Sequence, residues 1–208
     1  MSPARTLDRL QADDLQAHLG NAVIGREIVV VDQAGSTNDA ILHVATPNSK
    51  EGLILFAEHQ TAGRGQRDNR WESPAGKGLW FSILLRPAIG IASSPRLTAW
   101  AIEAVSGTIQ NEFSLTPTVK FPNDVLIDGC KVAGVLVELR AQEKAPHLAI
   151  AGIGVNLNQS REDFPKELQN RAISLAMALG RQVDRPKFAV ALLRLLDRTY
   201  RERFPRNR

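Results

Sequence analysis

Apolar residues recur along this chain at two spacings, and the alternation between them predicts its elements. Residues 7 to 19 carry a helical period. A strand follows at Glu27 to Val31, and Ser36 or Thr37 is positioned to cap a helix over Asn38 to Val44 with a side-chain oxygen. Short apolar runs at Leu53 to Ala57 and Leu79 to Leu85 read as buried strands separated by a polar, glycine-rich loop. Ser94 to Phe113 is helical, with Pro95 where a first turn tolerates it.

Three strand-like segments come next, Val125 to Ile127, Val132 to Leu139 and Leu148 to Val155. Asp128-Gly129 joins the first two as a tight hairpin, because glycine reaches positive φ without a steric penalty. The chain closes with helices over Ala172 to Leu179, stopped by Gly180, and Pro186 to Phe204, capped by Asp184. Strands in succession with helices between them predict an α/β (α+β) fold: a mixed, mostly antiparallel sheet with helices packed on one side, rather than a doubly wound parallel one.

Composition narrows the setting. In 208 residues there is a single cysteine, Cys130, so no intramolecular disulfide forms. The first ten residues lack the apolar core of a signal peptide, and no apolar run reaches membrane-spanning length. One soluble, cytoplasmic domain over residues 1–208 is the expectation. The net charge of +4 is uneven: residues 181–208 carry +6 and the rest −2. Those cations interleave with Phe188, Leu192, Leu195, Leu196 and Tyr200, the pattern of a helix with one solvated and one buried face. An anionic partner is the alternative reading.

Three segments carry candidate chemistry. The loop from Glu58 to Trp71 contains Gly63, Arg64, Gly65, Gln66 and Arg67; its glycines allow close backbone approach, and its guanidinium forks suit carboxylate or phosphate oxygens. No Gly-Lys-Ser/Thr follows, so it is not a Walker A loop. Its arginines are equally compatible with simple solvation. Lys120-Phe121-Pro122-Asn123-Asp124 precedes the hairpin, which puts the Asp124 carboxylate and the Lys131 ammonium at one end of the sheet, as a site or as an ordinary ion pair. A lysine just past a hairpin is expected to be solvated and to matter little for stability. Gly152-Ile153-Gly154-Val155-Asn156-Leu157-Asn158 thins a strand and ends in asparagines suited to a turn or to reading a ligand edge.

Taken in order, Ser36-Thr37-Asn38, Gly63-Arg64-Gly65 running to Trp71 and Ser73-Pro74, Lys120 to Asp124, Lys131 with Ala133-Gly134, and Gly152 to Asn158 resemble the catalytic domain of biotin protein ligases. The resemblance implies a mixed sheet backed by helices and a two-step reaction. ATP activates biotin as biotinyl-5′-AMP, and a lysine of a carboxylase carrier domain then takes the biotinyl group. Ser36, Thr37, Asn38, Gln60, Gly63, Arg64, Gly65, Gln66, Lys131 and Gly134 fall at biotin-binding positions. Arg64, Arg67, Trp71, Asn123, Lys131 and Asn156 fall at ATP- or adenylate-binding ones. Lys131, Arg64 and Asp124 are the implied catalytic residues, Asp124 orienting the incoming amine.

No dedicated metal site is implied, and Mg²⁺ would arrive on the phosphates. The partner is a biotin carboxyl-carrier domain, with neither specific DNA nor a membrane expected, in a monomer or weak homodimer without a winged-helix or β-barrel domain. Gln66 and Asp68 stand where many relatives have arginine and glycine, Phe121 where tryptophan is common, and Cys130 where arginine is. Two other functions compete: a protein that binds biotin or its adenylate without transferring it, and a ligase for another carboxylate such as lipoate.

Overall fold

The computed structural model describes residues 8–46, 49–140 and 148–205. Its elements run α1 (Ala12–Ala17), β1 (Glu27–Ala34), α2 (Thr37–Val44), β2 (Leu53–Gln60), β3 (Gly78–Leu85), α3 (Pro95–Phe113), β4 (Thr118–Lys120), β5 (Asp124–Ile127), β6 (Cys130–Arg140), β7 (Leu148–Asn156), α4 (Leu175–Leu179) and α5 (Arg185–Arg203). The strands form one mixed sheet in the order β1-β2-β3-β7-β6-β5-β4, in which only β1 and β2 are parallel.

Strand alternation gives the sheet two unlike faces. Ile54 and Phe56 of β2, Phe81 and Ile83 of β3, and Ala151 and Ile153 of β7 join Trp100 and Val105 of α3 and Leu192 and Leu196 of α5 in the main core. Leu10 and Leu15 of the amino-terminal segment enter the same core. The intervening residues Leu53, Leu55, Leu84, Leu148 and Ile150 form a smaller cluster with Ile41 of α2. The long helices therefore share one face, as expected, while α2 lies on the other because Ile41 meets the opposite set of alternating strand residues. Helix α2 covers one end of this second face.

Local signals were largely obeyed. Asp184 caps α5 by accepting from Lys187 N (2.9 Å), and Gly180 ends α4 with φ 66°, while Ser174, read as lying inside that helix, instead caps it by accepting from Met177 N (3.1 Å). Asp128 and Gly129 turn the hairpin at φ 49° and 76°. Two predictions gave way to tertiary contacts, and one strand was not predicted. The first helix is confined to Ala12–Ala17, since Leu10 N donates instead to Glu58 Oε1 (3.1 Å); residue 7 lies outside the described residues. Residues 172–174 are not helical: Lys131 N donates to Arg171 O (2.8 Å) and Ile173 N to Lys131 O (3.0 Å), which draws this segment alongside β6. Beside β5 runs an additional edge strand, β4, whose three residues are too few to show a period.

Several cations of α5 bind the chain's own acceptors. Arg194 donates to His18 O (2.8 Å), Arg201 pairs with Asp197 (3.0 Å) and Arg203 with Glu103 (2.6 Å). This favours the structural reading of the charged helix over an anion-binding one. Among the described residues no helix is long and apolar enough to cross a membrane.

Candidate active site

Beyond α2 the open sheet face is built from Ser82, Gly134, Gly152 and Gly154, with Gly134 and Gly154 paired directly across β6 and β7. The three glycines are required by close approach. A Cβ at Gly154 would come within 2.5 Å of the Trp71 indole and one at Gly134 within 2.9 Å, and a side chain at Gly152 would strike Asn38. Trp71 thus lies on a glycine floor, edge-on to Trp80 at 6.1 Å, with Lys131 Nζ 5.1 Å from its ring centroid. Its Nε1 is buried and has no hydrogen-bond partner among the described residues.

The ring divides the site in two. On one side is a narrow cleft of about 40 Å³ lined by Ser36, Thr37, Asn38, Gln60, Arg64, Gly65, Gly134 and Gly152. On the other is an open groove of about 590 Å³, bordered by Gln66, Arg67, Arg70, Lys120, Asn123, Asp124, Asn156 and Arg171. Gly65, Trp71, Asn123 and Lys131 line both.

The cleft's polar wall is internally bonded. Ser36 occupies the N-cap position of α2, yet neither it nor Thr37 supplies the expected cap. Gln60 reaches over from the end of β2, so that its Oε1 accepts from Thr37 N (2.8 Å) while its Nε2 donates to Ser73 Oγ (2.8 Å). Ser82 Oγ lies 2.8 Å from Thr37 Oγ1 and 2.6 Å from Asn38 Oδ1, and Asn38 Nδ2 donates to Glu138 Oε2 (2.7 Å). Ser36, Thr37, Asn38, Gln60 and Ser82 are all buried.

The charged groups are paired rather than bare. Arg64 Nη1 binds both carboxylate oxygens of Asp39 (2.7 and 2.9 Å), and its Nη2 donates to Glu138 Oε2 (2.8 Å). Burial pulls the Arg64 pKa down, but the bonds and fields of Asp39 and Glu138 outweigh it and hold the guanidinium above its ordinary value. The loop is a small hairpin: Trp71 N donates to Gly63 O (2.9 Å) and Gly65 N to Asn69 O (2.7 Å), with Arg67 at φ 56°. Across the ring, Lys131 Nζ pairs with Asp124 Oδ1 at 2.6 Å. This oxygen is shut off from solvent, so the lysine is less solvated than a hairpin-end residue was expected to be.

Of the residues assigned to catalytic, biotin-binding or adenylate-binding positions, all border the cleft or the groove apart from Gly63, which lies just behind at the loop's closure, whereas Ser73, Ala133 and Asn158 of the same motifs do not. Two amides are already engaged. Asn123 Nδ2 donates to Val135 O (3.2 Å), while Asn156 Nδ2 donates to Ile173 O (3.2 Å) and its Oδ1 accepts from Gln159 (2.9 Å). Those bonds set the shape of the groove wall. The side chain of Asp68 is outside the described residues. Asp39, Ser82 and Glu138 escaped notice as site residues. Ser82 is one polar residue in an apolar strand, Gly78 to Leu85, and that interruption was the available signal.

A model of the biotin/lipoate A/B protein ligase family matches residues 30–156. The Bacillus subtilis bifunctional ligase/repressor BirA is 36% identical over 194 residues, covering 93% of this chain but 60% of that protein. The chain thus spans somewhat over half the length of that relative. The Mycobacterium tuberculosis biotin–[acetyl-CoA-carboxylase] ligase is 32% identical over 200 residues, 91% of this chain and 72% of that one. The structure of biotin protein ligase from Aquifex aeolicus in complex with biotin and ATP superposes with a TM-score of 0.70 at 28% identity, covering 86% of this chain and 73% of that chain. With its glycine floor and the cleft beside it within the matched span, the chain belongs to the biotin/lipoate A/B protein ligase family.

Proposed function

We propose that this chain activates biotin with ATP to give biotinyl-5′-AMP and pyrophosphate, and then passes the biotinyl group to a lysine of a biotin carboxyl-carrier domain. One observation carries this reading: a buried polar cleft and an arginine- and lysine-bordered groove meet at Lys131, in a chain similar to a ligase whose structure holds biotin and ATP. The cleft is narrow while Trp71 rests on the floor, and a ring-sized ligand enters as the indole moves.

In the first step a biotin carboxylate oxygen attacks the α-phosphorus, an O–P bond forms, and pyrophosphate leaves with the electron pair of the broken P–O bond. Two anions must meet, and Lys131 is the cation at the junction, supplying fixed positive charge where negative charge concentrates. Arg64 acts with it from the loop, and Arg67 and Lys120 face the triphosphate. In the second step the carrier amine attacks the acyl carbon, AMP departs, and the amide nitrogen sheds a proton. Asp124, 2.6 Å from Lys131, is placed to orient that amine once phosphate draws the lysine away.

Glu72 pairs with Arg70 (3.1 Å) and Asp124 with Lys131, so neither groove carboxylate stands ready as a metal ligand, and Mg²⁺ enters on the ATP phosphates. Dependence on ATP and a carboxylase carrier supports the cytoplasm as the place of action. Incubation with ATP, labelled biotin and a carrier domain tests the reading. Label on the carrier lysine is expected. Retained biotin without transfer would leave a binding protein, and transfer of lipoate in preference to biotin would leave a different ligase.

A further inference from the structure

We infer that Asp39 is a positioning residue that latches the Arg64 loop to the body of the protein, so that Trp71 can leave the glycine floor for a ligand without the loop leaving with it. The consequence for the reaction intermediate rests on the biotin reading above; the latch itself does not. Two ties hold the loop in place. Among the described residues, Arg64 makes the hydrogen bonds that run from residues 63–70 to other elements, two to Asp39 of α2 (2.7 and 2.9 Å) and one to Glu138 of β6 (2.8 Å). The other bonds of this stretch close on the loop itself, as from Gly65 N to Asn69 O (2.7 Å) and from Asn69 Nδ2 to Gln66 O (2.8 Å), or end just beyond it at Glu72. The second tie is Trp71, whose indole lies on Gly134 and Gly154 with Lys131 Nζ 5.1 Å from its ring. A two-stranded hairpin without further support is marginal in water. When a ring-sized ligand displaces the indole, the Arg64 bonds are therefore what keeps the loop over the site.

Asp39 suits this duty better than Glu138 does. It stands in the first turn of α2, where the helix field favours a carboxylate, and both its oxygens accept from Arg64 Nη1. Glu138 Oε2 is divided between Arg64 and Asn38 Nδ2 (2.7 Å), so it belongs to the cleft wall as much as to the loop. The Asp39 carboxylate, among the described residues, bonds to Arg64 alone, and a change there reaches the cleft only through the loop. At most three of the five guanidinium N–H groups are taken, which leaves at least two to grip a ligand anion while the latch stays shut. Arg64 and Asp39 are 39% and 45% exposed, so the latch is modest in strength and open to screening by salt.

Loop opening is read as amide hydrogen exchange at Gly65 and Trp71 in the ligand-free protein. Asp39→Asn is expected to speed exchange there about fivefold while the amides of β3 and β7 keep their protection, and Asp39→Glu to restore most of the difference. Added salt is expected to speed exchange at the two amides in wild type and to have little effect on Asp39→Asn. In an Arg64→Ala background, where nothing is left to latch, Asp39→Asn is expected to change nothing further. Escape of biotinyl-5′-AMP, formed in place from labelled biotin and ATP and read as labelled adenylate passing a protein-retaining filter, is expected to quicken about fivefold in Asp39→Asn. Equal exchange in wild type and Asp39→Asn, a further acceleration in the Arg64→Ala background, or unchanged escape where adenylate forms would overturn the inference. If exchange responds as expected but no adenylate forms, the latch stands and the biotin reading falls; if adenylate forms and exchange does not respond, the latch falls and the biotin reading stands.

Discussion

Replacing Lys131 with methionine tests the chemical centre of the site, and the structure makes its two consequences separable. The ammonium lies 2.6 Å from Asp124 Oδ1, a separation at which opposite charges attract by about 6 kcal/mol at an effective dielectric near 20 and by about 1.6 kcal/mol in water. The two side chains are 33% and 24% exposed, so desolvation and screening remove most of that. What remains is the orphaned carboxylate oxygen, sealed from solvent, for which about 1–3 kcal/mol of stability is at stake, with the lower half favoured by the partial exposure. The methionine stem retains packing on Trp71.

The chemical consequence is larger. Losing a preorganised charge at a developing anion costs about 2.7–4 kcal/mol of transition-state stabilisation, or roughly 10²–10³ in rate. Urea unfolding measures the first quantity, and single-turnover pyrophosphate release with saturating biotin and ATP the second. Adding Asp124→Asn removes the orphaned charge, so the double variant is expected to regain stability without regaining adenylate formation. If the single variant made adenylate within about threefold of wild type, Lys131 would be a structural cation and the electrostatic argument would be wrong.

Three further outcomes are expected. Arg185 is almost fully buried and binds Gly78 O (3.1 Å), Asp8 O (2.9 Å) and Glu58 Oε2 (2.7 Å); Arg185→Met strands Glu58 and is expected to cost about 3–5 kcal/mol, much of it restored by adding Glu58→Gln, as read by chemical denaturation. Burial pushes the Asp163 pKa up, but its bonds from Ser160 and the charge of Lys77 more than reverse this, so it lies below its ordinary 3.8. The unfolded chain then binds the proton first, and the stabilisation, complete above the unfolded value, fades as pH falls through the folded one; thermal melts of wild type and Asp163→Asn are expected to converge as the pH is lowered. Gly154→Val raises a side chain into the space occupied by the Trp71 indole, and biotin binding by calorimetry is expected to be lost while the far-ultraviolet circular dichroism is retained.

Much of this protein is written locally. The apolar runs of β2, β3 and β7, the Asp128-Gly129 turn, the cap at Asp184 and the stop at Gly180 each follow from neighbouring residues, because strand alternation, positive φ and capping are short-range effects. The motif residues from Ser36 to Asn156 were legible in the same way as residue types in order.

The partners of those residues were not legible. That Gln60 and not Ser36 caps α2, that Arg64 is shared by Asp39 and Glu138, and that residues 171–173 straighten to grip Lys131 are contacts between positions 23 to 74 apart in the chain. Periodicity carries no information about such pairings. The buried Arg185 showed this most plainly: in the sequence it is one more cation in a basic tail, and only the fold, by bringing Gly78, Asp8 and Glu58 around the start of α5, turns it inward. The sequence by itself determined most of the elements, though not β4 or the ends of α1 and α4, and which chemical groups are present. The tertiary structure alone decided which of those groups are desolvated together, and hydrogen-bond polarity and charge pairing acquire most of their energy there, where water cannot compete.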